Sequence, residues 1–194
     1  MLPEYFAVIG AIIASLGGIY YLYETITGKA KPNRVTWVLW GVFPMITFAA
    51  QRSQGVSSIS WASFVAGLTP ILVVAASFYA KDAYWKTKPI DFACMTLGII
   101  GMLLWAITNS PNIAILFSIF ADAAAAFPTI LKSYKNPETE SWIAYSLSAL
   151  GFGVGLFSIH SWNFQNYAFL SYLFAINGLL SILSSQHKVL NQTE

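Results

Sequence analysis

An acid sits in the middle of an otherwise apolar run in "FADAAAAFPTILK", Phe120 to Lys132. A charged aspartate at the centre of a membrane helix costs about 2.5–3.5 kcal/mol on insertion scales, so Asp122 is expected to face a bundle interior and find partners or water there. Held away from water without a cation beside it, it is a candidate proton carrier. The competing reading is a hydrogen-bonded aspartate that fixes helix packing, helped by the small residues Ala123–Ala126.

Other residues could meet a solute. Asn177, midway along the last apolar stretch, has an amide donor and a carbonyl to satisfy, through a solute or through a neighbouring helix. Trp40 lies deep enough to stack on a sugar or flat heterocycle, with packing between helices as the alternative. Trp37, Trp61, Trp85, Trp142 and Trp162 fall near the ends of apolar stretches, where an interfacial belt is the simpler role. Gln51, beside Arg52, is expected to reach for the interface, and Asp91 to cap a helix start. Pro128, Pro44 and Pro70 each remove a backbone donor inside or near the end of an apolar stretch, as hinges or as fixed kinks.

Enzyme chemistry is not expected. Cys94 is the single cysteine, His160 and His187 fall in polar segments, and the sequence has no His-Glu-x-x-His, phosphate loop or nucleophile elbow. Neither a metal nor a cofactor is implied. A retinal pigment is disfavoured because the last apolar stretch has no lysine for a Schiff base.

The elements that position these residues follow from composition. The chain has 194 residues, 57% hydrophobic and 9% charged, against roughly a quarter charged in a soluble domain. Seven stretches approach the roughly 20 apolar residues that a membrane span needs: Tyr5–Tyr23, Val35–Gln51, Trp61–Ala80, Pro89–Ile107, Asn112–Leu131, Trp142–Ile159 and Tyr167–Ser184. Backbone groups in lipid must be bonded within their own segment, so the expected class is all-α, a polytopic membrane protein of seven transmembrane helices. Met-Leu-Pro-Glu carries no basic leader, and the first stretch is read as a span, not a signal peptide.

Nine of the ten Lys and Arg residues fall in connections one, three and five or the tail; only Arg52 falls on the other side. That split predicts an outside N-terminus and a cytoplasmic C-terminus, in a cell (inner) membrane. The basic face is read as a solvated rim in contact with lipid, and no nucleic-acid partner is expected.

"KPNRVTWVLWGV" (Lys31–Val42) laid over "NPETESWIAYSL" (Asn136–Leu147) aligns Pro32 with Pro137, Trp37 with Trp142 and Trp40 with Tyr145, 105 residues apart. The same offset superposes span one on five and two on six, and carries Gly17 onto Asp122. Three more residues superpose span three on seven, bringing Thr69 onto Asn177. The layout is two parallel three-helix repeats joined by a linker helix, over 1–80, 81–110 and 111–194. Tyr145, with Ser146 beside it, becomes a wall candidate through Trp40.

With these features the chain resembles the SWEET and PQ-loop superfamily of transporters. The three-one-three layout, the loop "FPTILKSYKNPETESW" and the seventh-span "INGLLSILSSQ" (Ile176–Gln186) carry the resemblance. The Pro-Gln dipeptide reads Tyr23-Glu24 and Pro128-Thr129, only Pro128 matches one of the family's four gate prolines, and the paired pocket asparagines become Thr69 and Asn177. The resemblance implies a small-solute site near the midplane with Asn177 and Thr69 in it; Trp40, Tyr145 and Ser146 join them as wall candidates from the residue reading, and Asp122, which has no acidic counterpart in the first repeat, is the candidate for proton coupling. Sugars, nucleoside-like and vitamin-like solutes all stay open. The other class of reading is a non-transporting receptor or scaffold on the same plan. One chain holds both repeats, so a monomer suffices for a path, and homo-oligomers stay open.

Overall fold

The computed structural model describes residues 2–80, 85–86, 88–108 and 110–190; at 94, 97, 98, 101, 102, 104–106, 108 and 187–190 it describes the backbone alone. Among the described residues there are seven α-helices and no strands. They are α1 (Tyr5–Ile26), α2 (Arg34–Ser53), α3 (Ser60–Tyr79), α4 (Pro89–Thr108), α5 (Pro111–Lys135), α6 (Trp142–Phe157) and α7 (Phe164–Leu190), with a 3-10 turn at Pro137–Thr139. By length and composition, Tyr5–Ile26, Ser60–Tyr79, Pro111–Lys135 and Phe164–Gln186 can each cross a membrane, which is compatible with an integral membrane protein.

α1 shows what kind of solvent the bundle suits. Its large residues Tyr5, Ile9, Ile12, Leu16, Ile19, Tyr23 and Ile26 are exposed at three- to four-residue spacing, while Ala7, Ala11, Ala14 and Gly17 are buried on the other face. Large apolar side chains outside and small ones inside is the arrangement expected where lipid replaces water, since close backbone approach then drives association. Gly10 and Gly151 make that approach between α1 and α6: a Cβ on either would run into the other's carbonyl oxygen.

Three helix starts are set by short-range side-chain chemistry. The Asn33 side chain accepts from Val35 N at 3.1 Å and caps α2. Ser141 Oγ accepts from Ala144 N at 3.3 Å and caps α6. Asp91 Oδ2 reaches back to Lys88 N at 2.5 Å, a cap at the start of α4 in keeping with its expected role. Gly28 and Gly55, at φ +75° and +78°, turn the chain after α1 and α2 in the left-handed region that glycine tolerates.

α1 packs on α6 and α3, α2 on α3 and α5, α6 on α7, and α7 on α5; α4 packs mainly on α5. The basic ends are tied together across the chain. Lys31 N donates to Thr139 O at 3.0 Å, Trp85 N to Pro32 O at 2.9 Å, and Asn33 Nδ2 to Asp91 Oδ1 at 2.8 Å. Connections one, three and five therefore meet at one end of the bundle.

Candidate functional site

Between these helices lies a small, partly open cavity of about 70 Å3. α1 contributes Gly17, Gly18 and Tyr21; α2 contributes Trp37, Trp40 and Pro44; α3 contributes Thr69 and Pro70. From the second half of the chain come Asp122 on α5, Tyr145, Ser148 and Phe152 on α6, and Leu173 and Asn177 on α7.

Glycines make room for the wall. A Cβ on Gly18 would overlap the side chain of Thr69, and one on Gly17 would meet Ser148 Oγ at 2.6 Å. The hydroxyl of Thr69 donates to Val65 O at 3.0 Å, and Asn177 Nδ2 donates to Leu173 O at 2.9 Å, so both are steadied by their own helices.

Asp122 is 2% exposed. Tyr172 Oη donates to its Oδ2 at 2.6 Å, while Oδ1 is buried with no hydrogen-bond partner among the described residues. The indole Nε1 atoms of Trp37 and Trp40 are likewise buried and unpartnered. Buried polar groups are nearly always bonded; these three atoms sit on residues lining one cavity, while Thr47, Thr129, Ser133 and Ser184 hold four more unpartnered hydroxyls away from it.

Behind the wall at the basic end lies a buried ion pair. Glu140 Oε1 lies 2.7 Å from Lys132 Nζ, with both side chains almost fully buried. Glu140 Oε2 accepts from Tyr21 Oη at 2.7 Å and from Tyr145 Oη at 2.8 Å. The Lys132 ammonium also donates to the carbonyls of Lys31 and Thr139 and lies 5.2 Å from the Trp85 ring. Tyr21 and Tyr145 thus belong to both the wall and the polar cluster around Glu140. Toward the other end, Phe152 and Leu173 join the wall to an apolar cluster with Ile115, Phe169 and Leu170.

Seven of the residues singled out from sequence line this one cavity: Asn177, Trp40, Thr69, Tyr145, Asp122, Pro44 and Pro70. Ser146 does not line it; its Oγ lies 2.6 Å from Ser181 Oγ and bridges α6 to α7, while Ser148 reaches the wall instead. Pro128 is buried in α5 away from the lining. Two expectations are corrected. Trp37 is no belt residue: it is 4% exposed and its ring centroid is 4.2 Å from that of Tyr21. Gln51 does not reach the interface: it is 1% exposed, accepting from Ser63 Oγ at 2.7 Å and donating to Gln165 O at 2.9 Å.

Tyr21, Lys132 and Glu140 went unnoticed in the sequence. The one available signal was a Lys and a Glu eight residues apart across a proline loop, which ordinarily marks a solvated turn. Among the described residues no group of three or more His, Cys, Asp and Glu is placed to hold a metal ion. Compared with protein-family models, curated proteins and solved structures, the chain matches none.

Proposed function

We propose that the protein is a membrane transporter that moves a small polar solute by alternating access, built as two parallel three-helix repeats, α1–α3 and α5–α7, around a linker helix α4. The observation that carries this reading is the central cavity, with its three unpartnered polar atoms at the junction of the two sets. A site between two repeats is where rocking of one against the other exposes a solute to each side in turn.

The packing pattern supports the repeat. In each set the third helix packs on both of the others, and the cross-contacts α1 with α6 and α5 with α2 exchange under the same pairing. Individual residues follow. Thr36 Oγ1 donates to Ala125 O at 2.9 Å, and Gly17 lies against Ala144; residues 36 and 144, like 17 and 125, are 108 apart. This is the offset that joins Thr69 to Asn177. It replaces 105 at these contacts and makes Ala14, not Gly17, the mate of Asp122.

The sequence charge split orients the end that holds Glu140 toward the cytoplasm of a cell membrane. In this reading Asn177, Trp40, Thr69 and Tyr145 contact solute, Ser148 takes the place of Ser146, and Pro44, Pro70 and Pro128 serve as hinges. Asp122 is the residue through which a proton or a solute charge biases the two states, since only differential affinity shifts such an equilibrium. Reconstitution in proteoliposomes tests this. Solute accumulation driven by an imposed pH gradient and lost in Asp122→Asn supports proton coupling; accumulation unchanged by the substitution removes it, and no protein-dependent uptake, even down a gradient, of any sugar, nucleoside, vitamin or amine removes the transporter.

A further inference from the structure

The cavity wall is unbalanced in charge. Among the described residues lining it there is no lysine, arginine or histidine, and Asp122 is the only carboxylic acid. Its Oδ2 is held by Tyr172, and its buried Oδ1 accepts from nothing. Lys132, the cation buried near the basic end, is committed to Glu140 and to two carbonyls. The same wall carries five aromatic side chains: Tyr21, Trp37, Trp40, Tyr145 and Phe152.

Two independent features therefore ask for positive charge. A carboxylate in a dry site stays charged only when paired and otherwise takes up a proton, and aromatic faces attract cations electrostatically. A third feature constrains the rest of the ligand. The indole N–H groups of Trp37 and Trp40 also lack partners, and an indole nitrogen can only donate, so the ligand must bring an acceptor.

We propose that the cavity binds a small organic cation: an ammonium or comparable N–H group facing Asp122 Oδ1, a flat or compact body among the rings, and an oxygen acceptor reaching the Trp37 or Trp40 indole. This rests on the transporter reading and names its solute by chemical class. An anion meets the Asp122 carboxylate with no base to offset it. A neutral polyol satisfies the indoles but offers Asp122 no counter-charge, leaving a proton as the only means of neutralising it.

The test uses the full chain purified in detergent, with matched probes differing only in the charged group. Benzylamine, tyramine and tryptamine are compared with benzyl alcohol, tyrosol and tryptophol, and with benzoate, 4-hydroxyphenylacetate and indole-3-acetate. Binding is read by quenching of tryptophan fluorescence and by thermal shift. At least one amine is expected to bind about tenfold or more tightly than its neutral partner, with the matching anion weakest. In Asp122→Asn that preference falls to near unity, while Trp40→Phe weakens amine and alcohol alike. The wild-type ratio alone decides the matter should Asp122→Asn fail to fold.

Equal binding of amine and alcohol, a preference that survives in folded Asp122→Asn, or no binding by any amine overturns the proposal. The two levels separate cleanly. Uptake of a neutral solute by vesicles whose protein ignores amines removes the cation class and leaves the transporter; amine binding without transport of any solute removes the transporter and leaves the cation site.

Discussion

Lys132 and Glu140 form a buried ion pair at 2.7 Å across the turn between α5 and α6, and Glu140 gathers the hydroxyls of Tyr21 and Tyr145 onto its other oxygen. A fully partnered carboxylate bonded to two tyrosines of the cavity wall makes the ion pair and that part of the wall one hydrogen-bonded unit. Removing one partner leaves a buried charge, so Lys132→Met or Glu140→Gln is expected to cost about 3–5 kcal/mol. The double substitution should cost less than the two singles together. Unfolding of all three variants in detergent checks this; strict additivity would show that the two side chains do not act as a pair.

The α1–α6 crossing yields a second expectation. A methyl added at Gly151 meets the Gly10 carbonyl oxygen and the Ala14 amide, both backbone, so the helices must separate. Gly151→Ala should lose about 1–3 kcal/mol, the range for overpacking. Gly178→Ala, with nothing within 4 Å of the added carbon, should be neutral or gain up to about 1 kcal/mol from helix propensity. Thermal unfolding of the two variants side by side provides the comparison.

Asn33 does two things at once. Its oxygen caps α2 through Val35 N, and its nitrogen holds Asp91 at the start of α4 at 2.8 Å. Asn33→Ser retains the cap and loses the tie, whereas Asn33→Ala loses both. The alanine variant is expected to be less stable than the serine variant by about 1 kcal/mol, the usual worth of a cap. Equal stabilities in a denaturant titration would mean the cap contributes nothing here.

What could be read from the sequence was whatever depends on depth in an apolar run. Asp122, Asn177, Thr69 and Trp40 stand out because polar or large amphipathic side chains at mid-helix need an interior, and all four line the cavity. Rotation about a helix was not legible where the helix lacks a polar face. α6 is apolar nearly all round, so Ser146 and Ser148, about 200° apart at 100° per residue, could not be ranked, and it is Ser148 that reaches the wall.

Long-range satisfaction was also hidden. Glu140 finds Tyr21 across 119 positions, and Gln51 finds the Gln165 carbonyl across 114. Nothing local distinguishes such residues from ones that stay in solvent. Trp37 was misjudged for the same reason: its place near a helix start suits an interface, but Tyr21 on another helix draws it inward.

The central claim is that the cavity opens to both sides of the membrane, and a cysteine on its wall tests it most directly. Cys94 is replaced by serine, and Ser148→Cys is introduced on the wall as a near-isosteric reporter. Membrane-impermeant maleimide is then applied to vesicles from the outer face and, in inverted vesicles, from the basic face. Labelling from both faces is expected, slowed by a bound ligand, and faster from the basic face when Glu140→Gln loosens that end. Labelling from one face only, unchanged by Glu140→Gln, would contradict alternating access and leave a receptor with a permanently closed end.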